Sequence, residues 1–393
     1  MVARKDISSD RITNQPDKIF SARKIICALS VLLFILSDYY FQGIGRGFDY
    51  LYIAIISLFG FHLRGRVTNV NRTGAVSLCI TVLPWLAIGA YEGYILITGA
   101  WLVGILLVYY IIGGYVHAEK PLIDCYLGIG LWLSIFAFFI QICLQWFFGF
   151  YLDYHRAVGS IQSRGWNDES GFFRPSGLFQ EPNAYATVTF AMVSARVIGR
   201  GYLRRVDILA IFSILLSQSL WGLVASLILF VIGRISAREI KIFSSLVFAG
   251  ACLAVVRSDS IQIWFEDSIT LRRINNIDED SSRKMRFGRI EDYLSFDNKI
   301  FGIGVNGDQF QSYIAVNGYA FLYVSFGIIG CLAIMIWLLF TARVKWRSLL
   351  VVIYIFTTYP QTSYLYFWLW LPMILNGGNN LRSAEKTVCA KRF

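Results

Sequence analysis

Three arginines, Arg283, Arg286 and Arg289, recur every third residue in SSRKMRFGRIEDYLSFDNKIFGIGVNG, from Ser281 to Gly307. On a helix that spacing keeps them within one broad face. Guanidiniums crowded on one face repel one another unless an anion joins them. Their planar forks match phosphate oxygens, so a lipid diphosphate is the natural ligand. A solvated face beside Asp278-Glu279-Asp280 and Glu291-Asp292 would carry the same residues, and both readings stand at this point. The acidic run lacks EF-hand spacing and reads as solvated. Gly302, Gly304 and Gly307 spell GxGxxG. The dinucleotide reading requires a strand before that motif and a helix after it in a βαβ unit. A tight turn that brings backbone close to a ligand or a helix suits its surroundings better.

A second polar constellation is GFFRPSGLFQEPNAYA, from Gly171 to Ala186. Pro182 and Asn183 are ordinary chemistry for opening a helix. Arg174 and Glu181 are not explained that way. They are either a structural ion pair at a membrane boundary or members of a site. His62, His117 and His155 lie far apart, and the seven cysteines show no short Cys-x-x-Cys spacing. Neither a metal site nor a disulfide framework is expected, and no cofactor is implied.

The elements that must position these groups follow from composition. Of 393 residues, 56% are hydrophobic and 16% charged. Soluble domains carry roughly a quarter charged residues, so the expectation is an all-α polytopic membrane protein. Hydropathy and length predict about twelve transmembrane helices, near 25–41, 48–63, 74–91, 94–116, 122–150, 183–199, 206–218, 220–234, 241–256, 317–341, 347–359 and 361–376. Residues 1–393 then form a single integral membrane domain with two long extracytoplasmic loops, 151–182 and 257–316. The stretches 206–234 and 347–376 are each nearly continuous. Flanking arginines and lysines at both ends of each favour tight hairpins, turning at Ser217-Gln218-Ser219 and Tyr359-Pro360-Gln361.

This topology places 24 of the 36 Lys and Arg on the cytoplasmic side, one (Arg46) in a short external loop and eleven in the two long loops. Both termini are then cytoplasmic. The net charge of +11 is accounted for by orientation, without nucleic acid as a partner. The lipid bilayer is the partner that composition does require. Trp132, Trp146, Phe147, Phe148, Tyr151 and Tyr154 read as an interfacial belt, some of which could stack on sugar rings.

RPSGLFQEPNAYA, the SQSLWG turn, the Arg-rich segment leading into IFGIG, and VNGYAFLYVSFGIIG (Val316 to Gly330) occur in that order on one predicted side of the membrane. Together they resemble the O-antigen polymerase and ligase superfamily of bacterial polysaccharide assembly, over the C-terminal two-thirds of the chain. The resemblance implies a GT-C-like fold in the bacterial inner membrane, working in lipopolysaccharide biosynthesis at the periplasmic face. The implied activity is a metal-independent glycosyltransferase. It moves a growing glycan from undecaprenyl diphosphate onto an incoming undecaprenyl-diphosphate-linked repeat unit. A chain-length regulator and a flippase are the protein partners it suggests.

Negative charge builds on the departing diphosphate, so fixed cations must meet it. For such a reaction Arg174, Arg286 and Arg289 are the catalytic candidates, with Glu181 as their partner or the base. Arg283, Asn183, Gly302 and Gly304 are the candidates for substrate binding. His155, Glu291 and Asp308 are alternatives for the base. Ligases of the superfamily carry His-Asn where this chain has Val316-Asn317, and no histidine follows His155. That favours polymerase over ligase. A flippase or other secondary transporter is the competing class, expected to carry ionisable groups near the bilayer midplane, whereas here they cluster in the external loops.

Overall fold

The computed structural model describes residues 120–160, 172–234, 299–302, 318–342 and 346–358, with single positions or short stretches between 24 and 39, 163 and 167, 241 and 248, and 370 and 375. The predicted spans 48–63, 74–91 and 94–116 lie outside the described residues. So does nearly all of the second long loop, including Arg283, Arg286, Arg289, Gly304, Glu291 and Asp308.

The described chain is helical, as the composition requires. Its elements are α1 (Lys120–Phe148), α2 (Tyr154–Ala157), β1 (Trp166–Asn167), β2 (Phe172–Phe173), α3 (Pro182–Arg200), α4 (Arg205–Leu216), α5 (Leu220–Ile232), α6 (Gly318–Ala342) and α7 (Trp346–Thr358). Predicted and observed bounds differ by a few residues at most. The two-residue strands pair antiparallel, Trp166 with Phe173 and Asn167 with Phe172, and fold the middle of the first long loop back on itself. Pattern reading did not anticipate α2 or this ribbon.

Helix α1 has 29 residues, about 43 Å at 1.5 Å per residue. Its stretch Pro121–Phe148 is, among the described residues, the helix long and apolar enough to cross a membrane. Helix α3 is the hub, packing against α1, α4, α5 and α7. It is buried nearly all round, and its many small residues (Ala184, Ala186, Ala191, Ser194, Ala195) let neighbours approach closely. Polar tips on this hub find partners. Tyr185 shares a hydrogen bond with Ser213 of α4 at 2.5 Å, and Trp370 donates to the Ala191 carbonyl at 2.9 Å. Tyr354 of α7 donates to the Trp221 carbonyl of α5 at 2.8 Å.

The first ambiguous stretch is a hairpin, and in the second the chain returns past its own start, its expected turn at Tyr359-Pro360-Gln361 lying outside the described residues. In the first, α4 and α5 are separated by Ser217–Ser219, with Gln218 in the left-handed region at φ 52°. Its base is closed by the Leu203 N–H donating to the Arg234 carbonyl at 3.1 Å. In the second, Ser348 donates to the Ile374 carbonyl at 2.8 Å. One continuous helix would hold those two residues about 39 Å apart. Helices α4 and α5 measure only about 18 and 20 Å, short of a hydrocarbon core of about 30 Å. The polar turn and the charged base shorten them.

Helix α6 is broken at Gly327, whose φ of 63° leaves the helical region. The N–H groups freed at the break are taken by a neighbouring segment, Ile328 donating to the Lys299 carbonyl at 2.9 Å and Ile329 to the Ile300 carbonyl at 3.2 Å. Gly302 faces the same break, where a Cβ would fall 2.6 Å from the backbone nitrogens of Phe326 and Gly327. The segment Lys299–Gly302 therefore docks backbone to backbone on the break at Gly327. That is the helix-approach half of the turn reading made above.

Candidate functional site

One end of the bundle gathers the first-loop residues. Helix α3 opens with Pro182 at its first turn and Glu181 at its N-cap, whose side chain makes no capping bond. The Asn183 side chain reaches Ser219 Oγ at 3.4 Å, and its carbonyl accepts from Thr187 at 2.8 Å. Ser219 in turn caps α5 by accepting the Gly222 N–H at 3.2 Å. The N-termini of α3 and α5 thus meet through an Asn–Ser contact. Half-buried Arg174 comes to the same turn, with Nη2 3.4 Å from the Gln218 carbonyl. Two positive helix ends and a guanidinium favour an anion, while the C-terminus of α4 at Leu216 opposes them in part. Arg174, Glu181 and Asn183 are therefore brought to one turn of the fold. Gly302 belongs instead to the α6 break.

The loop that carries Arg174 is fastened by side chains that pattern reading passed over. Gln141, fully buried in α1, donates to the Leu152 carbonyl at 2.8 Å and accepts the N–H groups of Ser176 and Gly177, both at 2.9 Å. Gly177 sits at φ 57° against the backbone of Phe138, a close approach that needs glycine. Asp153 caps α2 by accepting from His155 and Arg156, and its other oxygen accepts the Ser163 N–H at 2.9 Å. Tyr151 and Ser163 share a short hydrogen bond.

His155 is 1% exposed, lies flat on Tyr39 with ring centres 4.1 Å apart, and hydrogen-bonds the Leu178 carbonyl through Nε2 at 3.0 Å. That bond makes Nε2 the protonated nitrogen and leaves Nδ1 as the buried lone pair. Burial holds the imidazole pKa below its usual value, against the raising influence of the Leu178 bond and Asp153. A ring packed this way is an anchor for the loop rather than the base that the sequence allowed. Burial likewise pushes the Tyr151 phenol up to about 12.

The opposite end of the bundle holds an ionic network that sequence reading missed. Asp207, at 0% exposure, takes Arg196 Nε at 2.9 Å and Arg200 Nη2 at 2.5 Å. It also accepts the Arg204 N–H at 2.8 Å, which caps α4. Asp124 of α1 sits 3.4 to 3.7 Å from Arg200, Arg196 and Arg204. The available signal was Arg196 and Arg200, four apart inside an apolar helix. The expectation that ionisable groups gather in the external loops is corrected to that extent. This network sits where α1 and α4 begin and α3 and α5 end, the segments that charge counting assigned to one side. Among the described residues no three His, Cys, Asp or Glu side chains converge as metal ligands. The chain matches no family model and no curated protein.

Proposed function

We propose that the chain is a polytopic inner-membrane glycosyltransferase that polymerises lipid-linked oligosaccharide repeats, with about twelve membrane spans and its working side periplasmic. The observation that carries this reading is the convergence of Arg174 and Asn183 on the Gln218–Ser219 turn, beneath two helix N-termini. RPSGLFQEPNAYA and SQSLWG, two of the motifs behind the resemblance, are separate in sequence and meet there. An anionic leaving group, undecaprenyl diphosphate, suits that electrostatic cradle. Arg283, Arg286 and Arg289 would complete the cation set from the second loop, with Glu181, the N-cap of α3, as the proposed partner or base.

Membrane embedding is supported by the faces the helices leave outside. Ile129, Trp132, Leu133 and Phe136 of α1 form an exposed apolar stripe. Leu220, Leu223, Leu227 and Val231 form one on α5, and Ile328, Ile329, Leu332 and Ile336 one on α6. Charges turn inward instead, as at Asp207. Apolar outside with polar paired inside is the arrangement lipid demands.

The test is a deletion strain and purified membranes. One repeat unit on the lipid core marks a lost polymerase, whereas no glycan on the core marks a lost ligase or flippase. Membranes containing the protein and supplied with lipid-linked repeats should form polymer without nucleotide sugar and in the presence of EDTA. For sidedness, cysteines replacing Gly165 and Asp280 in a cysteine-free chain should react with an impermeant reagent from outside. Labelling of the second only after permeabilisation refutes the twelve-span topology.

A further inference from the structure

We infer that Gln141, a buried residue of α1, is the positioning residue that sets Arg174 against the substrate diphosphate. The inference rests on the polymerase reading above and names a residue that reading does not use. The first long loop leaves α1 after Phe148 and returns into α3 at Pro182. Its outgoing limb passes Leu152 and its returning limb passes Ser176 and Gly177. One primary amide holds both limbs, donating to the first and accepting twice from the second, all at 2.8 to 2.9 Å. The amide orientation is fixed by its partners, because the flipped form would set NH2 against two N–H donors.

Ser176 and Gly177 follow Arg174 by two and three residues, and Gly177 is pressed on the Phe138 backbone of the same helix. The segment after Arg174 is thus bolted to α1. Arg174 itself touches a different element, the Gln218 turn between α4 and α5. Its guanidinium therefore spans from a loop registered on α1 to a turn registered on α3. An error in the Gln141 bolt is carried to the guanidinium, and misplacement of a reacting group by about 1 Å can cost on the order of a hundredfold. Glutamine is otherwise a poor choice here. It lies in a helix of apolar residues with Phe138, Phe139, Ile140 and Ile142 around it in sequence. A leucine would pack as well and leave no amide to satisfy. His155 ties Leu178 of the same limb and is the second fastener.

Three variants test this in purified membranes with lipid-linked repeats. Gln141→Leu removes all three bonds at similar volume, and is expected to lower kcat about tenfold while KM for the donor stays within about threefold. Gln141→Glu keeps both acceptor bonds and should recover part of that loss. In an Arg174→Lys chain, adding Gln141→Leu should cost no further activity, because the two act as one unit. Full additivity there, or normal kcat in Gln141→Leu, overturns the inference.

A readout independent of the reaction covers poor expression or an inactive lysine variant. Pro175→Cys, in a cysteine-free chain, replaces a buried residue. Its labelling by maleimide should rise about tenfold when Gln141→Leu is added and clearly less with Gln141→Glu, which keeps the bonds to Ser176 and Gly177, and unchanged labelling in Gln141→Leu overturns the inference. The two readings fail separately. A wild-type protein that transfers no glycan sinks the polymerase reading and leaves the labelling result standing. A wild-type polymerase with a fully active Gln141→Leu sinks only the role of Gln141.

Discussion

Asp207→Asn is the most searching perturbation of the fold. Three arginines and two aspartates meet at that end of the bundle, a surplus of one positive charge, and Asp207 is the carboxylate with no exposure. The amide removes the charge that holds Arg196 and Arg200 and raises the surplus to two. Breaking a buried pair by removing one partner costs about 3–5 kcal/mol, because the remaining charge is buried without compensation. An asparagine oxygen can still accept the Arg204 N–H, so the α4 cap survives and the loss should fall at the lower end, about 3 kcal/mol. Unfolding in mixed micelles, followed by tryptophan fluorescence, would read the change directly. Adding Arg200→Met removes the uncompensated cation and restores the original surplus of one, so the double variant should recover more than half of the loss. The reasoning is refuted if Asp207→Asn unfolds within about 0.5 kcal/mol of the parent, the scale of an ordinary surface change. It is refuted equally if Arg200→Met makes the asparagine variant worse.

Alanine at Arg174, Arg283, Arg286 or Arg289 should leave protein in the membrane but slow transfer about ten- to a hundredfold, from hydrogen bonds to charge of about 1.5–3 kcal/mol. Lysine should give short chains, since it offers a point donor in place of a fork, and normal chain length in all four alanine variants refutes the diphosphate clamp. His155 has a lowered pKa in the fold, so the unfolded chain binds its proton more readily. Stability from this residue is therefore complete above about pH 6.5 and declines as pH falls toward the folded value. Amide protection factors in residues 151–182, taken relative to intrinsic exchange at each pH, should fall at pH 5 relative to pH 7.5, and His155→Gln should flatten that dependence. Gly327→Ala places a Cβ 2.3 Å from the Ile300 carbonyl at a positive φ, and Gly302→Ala crowds the same junction. Each should cost about 2 kcal/mol or more, seen as lower extraction yield and an earlier melt, whereas Gly149→Ala, with nothing within 4 Å of its Cβ, should lose only the smaller cost of its positive φ.

Helices were legible because a long apolar run constrains little else, and the Arg205–Ile232 hairpin was legible because charge at both ends forbids a single crossing. Arg174 and Glu181 were legible as polar groups that helix chemistry did not use, whereas Asn183 read as ordinary helix-opening chemistry. What escaped was polar chemistry embedded inside apolar runs. Gln141 is one polar side chain in a stretch that reads as hydrocarbon, and hydropathy averages it away. Its role exists only because residues 11, 35 and 36 positions later return to it. Asp124 and Asp207 were absorbed into span edges, and Arg196 and Arg200 into the positive side, because charge counting treats each residue alone.

Helix α3 joins these two kinds of chemistry, and that sharing says how the ends depend on each other. Its N-terminus presents Asn183 to the Ser219 turn, and its C-terminus carries Arg196 and Arg200 to Asp207. Helix α4 runs between the same two places, from Asp207 near its start to the turn after Leu216. Tyr185 and Ser213 bond between the two helices partway along. A slide of α3 against α4 that opened the Arg174 turn would have to pull Arg200 from Asp207 and break the Tyr185 contact together. The buried ion network therefore sets the register of the Arg174 turn from the far end of the bundle. A variant at Asp207 should shift the Arg174 turn with no contact between them.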